Sequence, residues 1–222
     1  MNQKAEKPMV TVDIVVFTVK NGDLNILLVK RKFNPFKGKW ALPGGFIREK
    51  EEIKKAAARE LEEETGVSGV YLEQLYTFGE VKRDPRGRVI TVAYFALVPD
   101  DKFRLRASYD AEDVQFFSTK SLPLLAFDHK EILQYAIERL RNKIQYTNVA
   151  WSLLPSAFTL REIQDVYQAI WGRHLDKRNF RKKLLSLGLL RSLKRHKRGS
   201  RQRPAQLHSF KSTRPIELKR FF

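Results

Sequence analysis

The chain has 222 residues, enough for one large or two small domains with real cores. It contains no cysteine, which excludes disulfides, thiolate zinc sites and a cysteine nucleophile. Its formal net charge of +18 is spread unevenly: residues 1–145 hold 25 Lys/Arg against 21 Asp/Glu, and residues 146–222 hold 18 against 4. So sharp a shift predicts two domains with different partners, the basic one meeting a polyanion, most simply nucleic acid. The N-terminal stretch has no apolar signal core, and the longest uncharged apolar run, Val89 to Val98, is too short to span a bilayer, so a cytoplasmic protein is expected.

Val10 to Val19 is rich in β-branched residues, Asn21-Gly22 is a hairpin turn signal and Leu24 to Val29 is the returning strand. Arg31 to Lys39 is a basic loop, in which Arg31 and Lys39 either contact phosphates or are solvated charges. Trp40 to Gly45 follows, and Gly44 and Gly45 can bring backbone close to a ligand. The next stretch, to Val67, runs into a helix dense in carboxylates. Glu60, Glu63 and Glu64 stand at i, i+3 and i+4, neighbours on one helical surface. At about 100° per residue, Glu60 and Glu64 share an arc with Ile53, Ala56 and Ala57, so the acids point the way the apolar residues point. An ordinary surface helix with Lys/Glu pairs would point them outward. Inward carboxylates are costly unless paired, and three converging ones call for a cation. Oxygen-only ligands select a hard ion such as Mg²⁺ bridging to substrate phosphates.

Gly45, Glu51, Arg59-Glu60-Leu61, Glu63-Glu64, Gly66 and Val67 fill every signature position of a pattern that resembles the Nudix box. The resemblance implies a Nudix α/β/α sandwich with a mixed sheet and a loop–helix–loop that binds Mg (or Mn) and cleaves nucleoside diphosphates linked to another group. It assigns Glu60, Glu63 and Glu64, with the carbonyl of Gly44, as metal ligands, and Arg59 with Glu51 as an orienting pair.

Tyr71 to Glu80 and Val89 to Val98 read as strands around the turn Arg83 to Arg88, whose arginines, Arg83 and Arg88 among them, either grip a diphosphate or solubilise a hairpin. The tract from Phe78 to Val98 is similar to the ADP-ribose branch of Nudix proteins. In that family a carboxylate outside the box often serves as general base, and Glu80, Asp110 and Glu112 are the candidates. Val114 to Phe117 is a short strand. Asp128 suits the N-cap of a helix from Lys130 to Lys143 that closes a first domain, residues 1–145. The four histidines are scattered singly and read as non-catalytic.

Residues 146–158 read as a linker whose Val149, Trp151, Leu153 and Leu154 pack on something. Thr159 to Glu162 is a capping box. The helix it starts aligns Leu160, Ile163, Tyr167 and Ile170, and Asp176 caps the next, with core positions Phe180, Leu184 and Leu187 and a terminating Gly188. Lys177, Arg178, Arg181 and Lys182 mark that second helix as the recognition helix of a helix-turn-helix. Leu189 to Leu193, a basic tip and Gln206 to Phe210 make a wing, in which Arg195, Lys197, Arg198, Arg201 and Arg203 meet phosphates or a minor groove. The plain alternative is a disordered basic tail or an RNA-binding segment.

A Nudix domain joined to this winged helix (residues 159–222) is similar to the Nudix-related transcriptional regulators over nearly the whole chain. That resemblance implies an ADP-ribose sensor, dimeric through the Nudix half, that controls genes of NAD synthesis or sugar catabolism by binding an operator in double-stranded DNA. Many such regulators carry damaged boxes; this box is intact. Three readings therefore stand: a repressor released by ADP-ribose or a related nucleotide sugar, an ADP-ribose pyrophosphatase giving AMP and ribose 5-phosphate, or a protein that does both.

Overall fold

The computed structural model describes residues 7–102, 111–197 and 204–218. The chain divides into two compact units. The first takes in residues 1–17, 25–97 and 103–136, and the second residues 18–24, 98–102 and 137–222.

In the first unit the long strands are where β-branched residues are dense. β1 (Met9–Lys20) turns at Asn21 and Gly22, both at positive φ, into β2 (Asp23–Arg31). Two short strands not foreseen from the sequence follow, β3 (Trp40–Ala41) and β4 (Gly44–Phe46), then helix α1 (Ile53–Thr65) and strands β5 (Tyr71–Phe78), β6 (Val89–Leu97) and β7 (Ala111–Ser118). The sheet is mixed, in the order β3-β2-β1-β6-β5, with β4 paired on β1 and β7 on β2. β1 and β6 run parallel, whereas β4 on β1, β3 and β7 on β2, and β5 on β6 are antiparallel. β1 and β6 are buried along most of their length, as strands covered on both faces must be. Helix α2 (His129–Lys143) sets Tyr135 against Tyr76 and Phe78 of β5, with ring centroids 5.1 and 5.9 Å apart. This is the α/β Nudix sandwich with a mixed sheet that the sequence led us to expect.

The second unit holds a winged helix. Its parts are β8 (Phe158–Thr159), α3 (Leu160–Trp171), α4 (Lys177–Ser186), β9 (Leu190–Lys197) and β10 (Ala205–Phe210), with the three strands in the order β8-β10-β9. Both predicted caps form. Thr159 and Glu162 make the reciprocal capping box, and the Asp176 side chain accepts the Asn179 N–H. Ile163, Tyr167, Ile170, Phe180 and Leu184 are buried, with Tyr167 and Phe180 ring centroids 5.3 Å apart. Residues 146–158, expected as a linker, contain a 3-10 turn (Val149–Leu153) whose Val149 and Ala150 are fully buried. Just before it, Asn148 fastens a C-terminal segment. Its side chain donates to the Arg214 carbonyl at 3.0 Å and accepts from the Ile216 N–H at 2.8 Å, and the Leu218 N–H reaches the Tyr146 carbonyl.

Among the described residues no helix is long and apolar enough to cross a membrane.

Candidate functional site

One face of the first unit's sheet forms the floor of a cleft of about 330 Å³. Thr11 and Asp13 on β1 stand opposite Phe46 and Gly44 on β4, and Arg31 and Ala41 come from β2 and β3. The α1 carboxylates Glu60 and Glu64 form one wall. Arg83, Asp84 and Arg86 from the β5–β6 connection also line it, as do Phe127 and His129.

The box forms the orienting pair that the resemblance implies, but not the three-carboxylate convergence that its spacing suggests. Arg59 grips Glu51 with two parallel bonds, Nε to Oε1 at 2.7 Å and Nη2 to Oε2 at 2.8 Å. This pairing, with the Arg48 N–H, holds the Glu51 carboxyl down at about 2. The same guanidinium reaches Glu60 at 2.7 Å and Glu63 at 3.0 Å. Two glycines are required by close approach. A Cβ on Gly45 would overlap the Glu60 carboxylate, and one on Gly44 would run into the Val12 carbonyl. Glu60 is buried, and burial raises its pKa despite Arg59. Glu64 Oε2 accepts the Gly44 N–H at 2.9 Å. Glu63, by contrast, is half-exposed and turned to Arg59 and Arg48. Accordingly, no three acidic or histidine side chains among the described residues already converge to hold a metal ion. The inward arc also ends short of Ile53, which is 41 % exposed at the first turn of α1.

The expected ligand-binding arginines sort differently from their sequence order. Arg31 lines the cleft, its Nε donating to the Pro35 carbonyl at 2.7 Å. Burial and the nearby Arg86 charge hold its pKa below the usual arginine value. Arg83 also lines the cleft but is buried in ion pairs, to Asp128 at 2.8 Å and Asp13 at 3.2 Å. Arg88 donates to the Gly79 carbonyl and Lys39 sits over the Phe36 ring, and neither lines the cleft. Arg86, the third arginine of that turn, does line it, held by Asp84 at 2.6 Å. Asp128 keeps the helix-starting role through its backbone, its carbonyl accepting from Glu131 and Ile132. Its carboxylate goes to Arg83, whose buried guanidinium would be costly without a counter-charge. His129 is buried in the cleft wall, where burial lowers its pKa. Its Nδ1 accepts the Leu42 N–H at 2.8 Å, and Nε2 lies 3.5 Å from Asp13. Of the outside carboxylates, Glu80 is exposed and Glu112 pairs with Lys30 at 3.1 Å; neither lines the cleft, and Asp110 lies outside the described residues.

In the winged helix, α4 exposes Lys177, Arg178 and Lys182, while Arg181 is partly buried. Arg195 is exposed on β9. Lys197 is committed elsewhere, its ammonium 2.6 Å from Glu162 of the capping box. Burial would raise Glu162, but the bonds from Lys197 and Thr159 outweigh it and hold its pKa low. Arg198, Arg201 and Arg203 lie outside the described residues.

A mixed-sheet fold with this loop–helix–loop, followed by a winged helix, defines a Nudix protein equipped to meet DNA. Residues 7–138 match the NUDIX domain and residues 150–210 the NrtR DNA-binding winged helix domain. The chain belongs to the Nudix family, in the group that carries an NrtR-type winged helix. It is 40 % identical to the ADPR responsive transcriptional repressor NtrR of Acinetobacter baylyi, over 91 % of this chain and 82 % of that one. Against the crystal structure of Shewanella oneidensis NrtR the identity is 35 %, with coverage of 96 % and 99 % and a TM-score of 0.83. For the same protein complexed with a 27mer DNA the values are 37 %, 91 %, 93 % and 0.81. For its Nudix domain complexed with ADP ribose they are 38 %, 63 %, 93 % and 0.57. An ADP-ribose pyrophosphatase of Methanocaldococcus jannaschii is 42 % identical over 57 % of this chain and 72 % of its own.

Proposed function

We propose that this chain is a transcriptional repressor that binds operator DNA through α4 and the wing and releases it when ADP-ribose enters the Nudix cleft. The observation that carries this is the joining, in one chain, of a capped and basic recognition helix to a cleft lined by paired carboxylates and arginines. The related repressor of Acinetobacter baylyi and the NrtR of Shewanella oneidensis match it over both halves. In the cleft, three arginines face four carboxylates, Asp13, Glu60, Glu64 and Asp84. A diphosphate entering alone would meet net negative charge, so a divalent cation such as Mg²⁺ is the natural companion. The all-oxygen donors fit such an ion. Glu60 and Glu64 would hold it, with Glu63 joining once released from Arg48, and the ion would neutralise the diphosphate charge. Arg59, fixed by Glu51, orients Glu60 and Glu63 for that task. Arg31 and Arg86 face the anion from the other side. ADP-ribose can shift the protein away from DNA only by binding the released state more tightly than the DNA-bound one.

Hydrolysis is the second reading, and a specific observation favours it: the Arg59–Glu51 pair and the buried Glu60 are intact. The two readings separate in one titration of the full chain against its own upstream DNA, with and without ADP-ribose and Mg²⁺, assaying AMP in the same tubes. Specific DNA binding lost on adding ADP-ribose, with little AMP, is the expected result. Rapid AMP release with only salt-sensitive, non-specific DNA binding would overturn it.

A further inference from the structure

The tripeptide Phe127-Asp128-His129 reads in the sequence as no more than the run-up to a helix. In the structure each of its side chains holds a different part of the cleft. Asp128 takes Arg83, and His129 takes the Leu42 N–H. Phe127 takes two guanidiniums: Arg31 lies 4.9 Å and Arg86 5.5 Å from its ring centroid. Phe36 meets the same ring edge-on at 4.7 Å.

Two features set Phe127 apart from ordinary packing. Its φ is +52°, a left-handed conformation that is uncommon for a bulky residue. Nor is its ring sealed in the core; it is half-buried and lines the cleft. An aromatic ring kept in a strained pose at a cleft wall, beside two cations of which Arg86 is paired with Asp84 and Arg31 is bonded to the Pro35 carbonyl, is hard to account for by burial. An anion between the guanidiniums accounts for it, because it offsets their repulsion while the ring keeps both in reach.

We propose that Phe127 is the positioning residue of an anion site formed by Arg31 and Arg86, and that this site takes one phosphoryl group of the cleft's diphosphate ligand. Arg83, already matched by two carboxylates, is the structural arginine of the set. This rests on the reading that the cleft takes a diphosphate.

Calorimetric titration of the full chain tests it, with Mg²⁺ present and with ADP-ribose and inorganic pyrophosphate as separate probes. Phe127→Leu leaves a bulky residue at the same backbone conformation and removes only the ring. It should weaken both probes by about tenfold, because the one group that touches both guanidiniums is gone. Arg31→Gln should cost about as much. The double variant should fall little below the worse single, because the ring acts through the arginine. Phe127→Tyr should bind within about threefold of the parent, and it carries the test if the leucine variant folds poorly. Parent-like binding by Phe127→Leu, or losses in the double variant that multiply to about a hundredfold, would overturn the proposal, as would a parent that binds no pyrophosphate. A parent that binds pyrophosphate but not ADP-ribose would reject the ADP-ribose reading, and the pyrophosphate cycle would still decide the role of Phe127.

Discussion

Glu51 and Glu60 show how differently one helix-and-loop treats its acids. Glu51 is held low, at about 2, by Arg59. A folded pKa below the unfolded one gives stability that is present above the ordinary glutamate range and is lost as pH falls through about 2. Glu51→Gln should therefore flatten the fall in melting temperature between about pH 4.5 and pH 2. An unchanged acid limb would show that the pair contributes nothing. Glu60 is the opposite case, a buried acid whose charged form needs a partner. Mg²⁺ should raise the melting temperature of the parent at pH 7 but not that of Glu60→Gln, measured by thermal denaturation with and without the ion. At this scale the box was largely legible: a fixed spacing of Gly45, Glu51, Arg59 and Glu60 encodes local contacts along a loop and a helix. Phe127 was not, and Arg86 was legible only as one of three arginines in a turn. Their meaning comes from the meeting of segments about forty residues apart, which no local spacing records.

Among the elements, the helices of the winged domain were readable because their ends are signalled chemically, by Thr159 with Glu162 and by Asp176. β3 and β4 were not, since two or three residues are too few for a period-2 pattern to show. Lys197 is the clearest case of an element changing a residue's meaning. By charge it belongs with the wing cations expected to meet DNA, but β9 carries it to Glu162. Removing one cation that neutralises a phosphate should lower the slope of log affinity against log salt by about 0.9. Arg178→Ala should show that drop in an operator titration across salt concentrations. Lys197→Gln should leave the slope unchanged and weaken binding by no more than about fivefold, the scale of an exposed ion pair. A slope change for Lys197→Gln would return it to the DNA-binding set.

For the molecule as a whole, the uneven charge foretold two chemistries in one chain, and the two matched domains bear that out. What composition did not tell is that the compact units do not coincide with the matched domains. Residues 18–24 and 98–102 group with the second unit although they are far from it in sequence. Long-range grouping of this kind depends on where turns end up in space, and charge counts along the chain are blind to it.

Asn148 has a practical consequence for anyone cutting this protein apart. The matched winged-helix region spans 150–210, and both halves of the Asn148 fastening lie beyond those limits, at 146–148 and 214–218. A fragment trimmed to 150–210 would lose this seam on both sides. One running from residue 144 to residue 218 would keep it. The longer fragment should resist limited trypsin digestion and show a cooperative melt, and the shorter one should do neither. Should both melt alike, the seam is ornament, and the autonomous folding unit ends where the matched region does.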